Sequence, residues 1–227
     1  DPGHSITVDI DAECDSLYVD PTATLNMTSA INLDIVGSFE NDGTVNFTDG
    51  SVSLIGAAEQ TVDAGANGIA FNDLVLDNST TSELNFTGGT FLLNGLMEPT
   101  NGNMVLGSSF IVNSTSGTTG GRVGIIGGGF SQSGDITVRR FIPGGNADWR
   151  DIASPVVGAG LSDWDAGIEI SCPDCPDGCA AGGGVPCFKS VTYWSISTQY
   201  GISTINHTLV NGRGYEVWVG DNLNTWT

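Results

Sequence analysis

The chain has 227 residues, of which 39% are hydrophobic and only 14% charged, with 33 glycines and a formal net charge of −20. That length suits one elongated domain or two compact ones, and no apolar run approaches the ~20 residues of a bilayer-spanning helix, so a folded, soluble protein without membrane insertion is expected. Residues 1–121 hold 16 of the 26 acids and no Lys or Arg, whereas the remainder has 10 acids against 6 bases; so anionic an N-terminal part repels phosphate backbones and anionic lipid, which argues against nucleic-acid partners.

Asp1-Pro2-Gly3-His4 lacks the basic and apolar regions of a signal peptide, so the start reads as mature or internal. Asn224-Thr225-Trp226-Thr227 follows a strand-like segment without a closing element, and both ends are expected to be cuts within a longer protein. From Leu17-Tyr18-Val19 onward the chain is a succession of short apolar segments rich in β-branched residues, separated by Gly, Asn and Asp. One set centres on Tyr18, Asp34, Ser53, Val75, Leu93 and Val112; a second centres on Leu25, Val45, Val62, Asn85, Val105 and Gly124. Both recur at roughly 19–20 residues, the signature of a stacked repeat.

Within Thr44-Val45-Asn46-Phe47-Thr48 and Glu83-Leu84-Asn85-Phe86-Thr87, apolar residues take every second place, giving one inward and one outward face. Asn41-Asp42-Gly43, Gly88-Gly89 and Asn101-Gly102-Asn103 supply corners that tolerate positive φ. These features predict a right-handed parallel β-helix over residues 1–142, with six rungs stacked at ~4.8 Å into a rod roughly 25–30 Å long. An antiparallel sandwich is the competing reading, because strands with turns every 8–12 residues also produce it.

After Gly134 the character changes. Ile136-Thr137-Val138-Arg139-Arg140-Phe141-Ile142-Pro143 carries the first basic cluster, and all five tryptophans (149, 164, 194, 218 and 226) lie beyond it. Large aromatics imply a more globular core, so residues 143–227 are expected to form a β-sandwich-like domain, incomplete at its C-terminus. Arg139, Arg140 and Arg150 are expected to pair with carboxylates at the junction of the two domains. Trp164, Trp194 and Trp218 are the residues to stack on sugar rings if this domain binds surface glycans.

Cys172, Cys175, Cys179 and Cys187 fall within a segment rich in Pro, Gly and Asp that cannot pack a core of its own. In an oxidising compartment they are expected to form two disulfides, in one of three pairings that the sequence does not select. A four-thiolate zinc site is the alternative, although Cys179-x7-Cys187 is spaced unlike the second half of one. Cys14 is the odd fifth, read as a buried thiol of the first rung.

Catalysis finds little support. The only histidines, His4 and His207, lie at opposite ends of the chain, and Asp34, Asp49, Asp73 and Asp77 are scattered. A β-helical polysaccharide lyase would need an Arg or Lys beside its acids, and none precedes Arg122. No cofactor is expected; beside the zinc alternative, calcium is the remaining candidate, through acidic turns such as Glu40-Asn41-Asp42 and Asp174-x2-Asp177.

The succession Arg139-Arg140-Phe141-Ile142-Pro143, Trp149-Arg150-Asp151-Ile152-Ala153-Ser154-Pro155-Val156 and Gly212-Arg213-Gly214-Tyr215-Glu216-Val217-Trp218-Val219 resembles the repetitive cell-surface proteins of Bacteroidetes exported by the type IX secretion system. So do rungs such as Ile35-Val36-Gly37-Ser38-Phe39 and Phe71-Asn72-Asp73-Leu74-Val75-Leu76, while the sorting domain of that family is not in this sequence. The resemblance implies a secreted, surface-displayed structural or adhesive protein of fibre or spacer type, contacting neighbouring domains or copies of itself end-on. A carbohydrate-binding module and a polysaccharide-cleaving enzyme are the alternatives. Asp15-Ser16-Leu17 is similar to the Asp-Ser/Thr-aliphatic O-glycosylation sequon of Bacteroidetes and nominates Ser16.

Overall fold

The computed structural model describes residues 3–79, 81–114, 120–142, 148–165, 168, 170–175 and 189–219. Two compact units divide between Arg139 and Arg140. The first is a parallel β-solenoid of about six turns, in agreement with the alternation and the repeat.

Its strands come three to a turn. The first rung is β1 (Ser5–Val8), β2 (Ala12–Cys14) and β3 (Leu17–Val19). The second is β4 (Thr24–Met27), β5 (Asn32–Ile35) and β6 (Phe39–Asn41); the third is β7 (Thr44–Phe47), β8 (Ser51–Leu54) and β9 (Gln60–Asp63). The fourth is β10 (Ile69–Phe71), β11 (Asp73–Asp77) and β12 (Glu83–Thr87), and the fifth β13 (Phe91–Leu93) and the long β14 (Leu96–Leu106). β15 (Phe110–Val112), β16 (Arg122–Val123) and β17 (Gly129–Ser133) follow, and β18 (Ile136–Val138) ends the stack.

β14 serves two faces at once. Its first part pairs with β11 and its second with β12. The change of face falls at Gly102, whose φ of 108° lies where a side chain is strained, so the Asn101-Gly102-Asn103 corner is a bend within a continuous strand. The third face is interrupted: β1, β4 and β7 form one ladder, and β10, β13, β15 and β18 another.

The sequence-derived sets do not follow single faces. Tyr18 lies on β3, Asp34, Ser53 and Val75 lie on β5, β8 and β11, and Leu93 and Val112 lie on β13 and β15. True partners are spaced from 19 residues, Leu33 against Val52, to 28, Met104 against Gln132. Corners of different length absorb the variation.

Period-two alternation points one residue in two into the solenoid, and vertical stacking turns these into columns. One column runs Ala12, Leu33, Val52, Leu74 and Met97; beside it run Cys14, Ile35, Leu54 and Leu76. Phe71, Phe91 and Phe110 stack rung upon rung with centroids 6.5 and 6.2 Å apart, and Phe86 meets Phe91 and Phe110 edge-on at 5.1 and 5.6 Å. Each such ring is fully buried and contributes about 1.5–3 kcal/mol by transfer from water alone. Outside, asparagine amides tie the rungs together: Asn46 Nδ2 donates to Asn26 Oδ1, and Asn26 Nδ2 to Ser5 Oγ, each at 2.9 Å.

The second unit contains β19 (Asp148–Ala153), the short helix α1 (Ser162–Asp165), β20 (Val191–Ser195), β21 (Thr198–Gly201) and β22 (Gly214–Val219). The strands form one antiparallel sheet in the order β19-β22-β20-β21. Tyr215, Val217, Val219 and Val191 line its covered face, packed with Ile142, Leu161, Ile168, Ile170 and Leu209. Ile142, placed with the β-helix by the sequence reading, thus belongs to this second core.

Candidate functional site

Three places in the described residues have geometry beyond core packing. The first is the outer edge of the first rung. β1, β2 and β3 each pair with one neighbour, in the second rung, so their other edge carries backbone groups without a ladder partner in the described sheets. Ile6 heads the inward column above Leu25 and Val45, and 61% of it is exposed, with no rung over it among the described residues. Ile10 at the next corner and Tyr18 on β3 add exposed apolar surface, and the Tyr18 hydroxyl donates to Asp42 Oδ2 at 3.2 Å.

Cys14 lies in the same rung and packs half-buried against the core as a free thiol. Burial first, then the charges of Asp15 and Glu13, push its pKa upward, so it is an inert column residue rather than a nucleophile. Ser16 is exposed at the β2–β3 corner, and a side chain on Gly37 below would collide with its Oγ.

The second place is a groove of about 430 Å³ where the third face is interrupted, lined by Val45, Asn46, Phe47, Thr48, Ala70, Asn72 and Asn94. Its amides are engaged: Asn72 Nδ2 donates to Gly50 O at 3.0 Å, and Asn94 Oδ1 accepts from Asn113 Nδ2 at 2.8 Å. It presents no ionisable group.

The third is the other face of the antiparallel sheet. Directly opposed residues share a face, and Trp149 opposes Trp218, Asp151 opposes Glu216, Thr192 opposes Glu216, and Trp194 opposes Gln199. Trp149 and Trp218 meet edge-to-face at 5.6 Å. Gln199 Nε2 donates to Glu216 Oε2 at 2.6 Å and to Thr192 Oγ1 at 3.0 Å, and Thr192 Oγ1 donates to the same carboxylate at 3.2 Å. The result is a polar centre with tryptophans at diagonal ends.

Trp194 and Trp218 therefore share this face, while Trp164 sits on the covered side with its ring 5.7 Å from Tyr215, edge-on. Trp149 was not nominated from sequence. Its alternation with Asp151 in Trp149-Arg150-Asp151 hinted at a shared face, but its opposition to Trp218 depends on a pairing across 69 positions.

Cys172 and Cys175 form a disulfide, buried in the second core. Cys179 and Cys187, and Asp177 of the proposed acidic turn, lie outside the described residues. Arg150 pairs with Asp148 two residues back on its own strand, Nη1 to Oδ2 at 3.3 Å. Arg139 Nε is buried with no partner among the described residues, and Arg140 is exposed. In the turn Glu40-Asn41-Asp42, Asn41 points inward and donates to Gly68 O at 3.0 Å, so the three do not converge. Among the described residues no group of three His, Cys, Asp or Glu side chains is placed to hold a metal ion.

His207 stacks on Tyr193 at 6.1 Å with its Nε2 buried and without a hydrogen-bond partner among the described residues. Burial, then the nearby Arg213 charge, lower its pKa from 6.5.

No protein-family model, curated protein or solved structure matches the chain.

Proposed function

We propose that the chain is a non-catalytic spacer of a secreted, surface-displayed structural or adhesive protein, in which the solenoid is continued end-on by another rung. The carrying observation is the first rung, whose three strands each have one neighbour and whose column head Ile6 is largely exposed. Exposed strand edges with apolar side chains are templates for pairing, and repeat proteins use such ends for stacking or require a cap over them. The rung that meets it is that of a second copy. The strongly anionic solenoid sequence disfavours lateral clumping and leaves the ends as the contact.

The extracellular, type IX-exported address rests on the sequence resemblance to Bacteroidetes surface proteins, and the Cys172–Cys175 disulfide fits an oxidising compartment. Sedimentation velocity over a concentration series tests the end-on contact. The 227-residue protein should self-associate, and the double substitution Ile6→Lys with Ile10→Lys should return it to monomer. Self-association unchanged by these lysines would contradict the reading.

A further inference from the structure

We propose that the face of the β19-β22-β20-β21 sheet bearing Trp149, Trp194 and Trp218 binds an uncharged glycan chain. This goes beyond the end-on reading of the solenoid and stands without it.

The geometry comes from strand register. Thr192 opposes Glu216; Trp194 lies two residues past Thr192 along β20, toward the Gly214 end of β22, and Trp218 lies two residues past Glu216 in the opposite direction. The two tryptophans are thus about four residues apart along the strands, roughly 14 Å at ~3.4 Å per residue. Trp194 is 54% exposed and Trp149 36% exposed, so indole surface is offered at both ends of that span. A side chain built on Gly214 would meet nothing within 4 Å, which leaves open floor beside Trp194. Between the two ends stands the Gln199–Glu216–Thr192 cluster, whose carboxylate accepts from two donors and whose exposed Gln199 retains a carbonyl oxygen.

A sugar ring has an apolar face of C–H groups and a rim of hydroxyls that both donate and accept. Indole faces suit the first and an amide–carboxylate–hydroxyl cluster the second. The ~14 Å span fits an oligosaccharide better than a single ring. Charge selects among glycans: register places two carboxylates, Asp151 and Glu216, on this face, while the one cation beside it among the described residues, Lys189, packs its stem over Gly201 and donates from Nζ to Gly201 O and Ser203 Oγ at 3.3 and 2.6 Å; the sequence as a whole carries −20. Uronate or sulfate groups would be repelled here, so the occupant is a neutral chain.

Titration calorimetry and tryptophan fluorescence on the 227-residue protein test this, with cellohexaose, xylohexaose and mannohexaose as neutral probes and hexagalacturonate as the anionic one. At least one neutral hexasaccharide should bind saturably. Trp194→Ala should weaken that binding at least tenfold, Trp194→Phe should retain part of it, and Gly214→Leu should block it by filling the floor. Tyr18→Ala, in the solenoid, should leave it unchanged. Unaltered far-UV circular dichroism of Trp194→Ala, whose side chain is exposed, keeps the comparison valid if Gly214→Leu folds poorly. Absence of binding to all three neutral probes, binding that survives Trp194→Ala, or preference for hexagalacturonate would overturn the proposal. So would a Trp194→Ala effect on self-association with none on sugar binding, since the occupant would then be a second copy.

Discussion

The two units solve the same problem, burying one face of a β-strand, in opposite ways. In the solenoid every strand lies parallel to its equivalent one turn away, so like residues stack on like and the core is a set of columns such as Cys14, Ile35, Leu54 and Leu76. In the second unit four antiparallel strands bring unlike and distant residues together, as with Trp149 and Trp218. Columns give a rod that can be lengthened rung by rung, and leave its end rung exposed. A twisted antiparallel sheet with one covered face gives a single platform whose chemistry is not repeated. Under the two proposed functions, extension and recognition fall to different kinds of β-structure.

The largest expected effect tests whether the units are energetically separate. All five tryptophans lie at or beyond residue 149, so their fluorescence follows the second unit, while circular dichroism follows both. Phe91→Ala removes a ring that touches Phe71, Phe86 and Phe110 and should destabilise the solenoid by about 3–5 kcal/mol in denaturant titrations. The tryptophan transition should stay in place. A fluorescence transition that moves as far as the dichroism transition would make the two units one cooperative block and break the comparison.

Gln60→Leu probes a polar side chain buried inside the solenoid. Gln60 Nε2 donates to Ile35 O and Gly37 O, and its Oε1 accepts from Gly56 N and Asn78 Nδ2. Leucine fills the space and orphans those groups, at about 1–3 kcal/mol for each that water cannot reach. A loss of at least about 2 kcal/mol is expected from the solenoid transition alone. Gly102→Val forces a β-branched residue to φ of 108° with Leu84 Cδ1 already 3.2 Å from its Cβ, and should cost about 1–3 kcal/mol.

The alternation, the repeat, the Gly102 corner and the change of character near residue 140 were all legible in the sequence, because each is written in neighbouring residues. The assignment of strands to faces was not. Every face of the solenoid carries the same in-out pattern, and corners differ in length, as with Asn72 alone between β10 and β11 against residues 64–68 between β9 and β10. A fixed step of 19 or 20 residues therefore lands on a different face after a few turns. The platform was half legible: Trp194 and Trp218 stood out as tryptophans, but only the long-range register separates them from Trp164 and adds Trp149, Gln199 and Glu216.

The remaining effects fall on the second unit and are smaller. Replacing both Cys172 and Cys175 by serine opens a very short loop and should lower the tryptophan transition by about 2 kcal/mol or less, leaving the solenoid unmoved. His207 gives a pH signature. Its folded-state pKa is below 6.5, so the unfolded chain binds the proton more tightly and protonation opposes folding. That contribution is neutral well above pH 6.5 and turns unfavourable as pH falls below it, until the folded pKa is passed. His207→Phe should flatten the acid side of the tryptophan-monitored stability profile, while the dichroism signal of the solenoid keeps its own pH dependence.

The central claim is that the open first rung is a contact for another rung, and electron microscopy of the negatively stained 227-residue protein tests it most directly. Particles joined end to end through the N-terminal rung, and separated by Ile6→Lys with Ile10→Lys, are the predicted result. Isolated compact monomers at every concentration, with the first rung as protected from hydrogen exchange as the third, would contradict it.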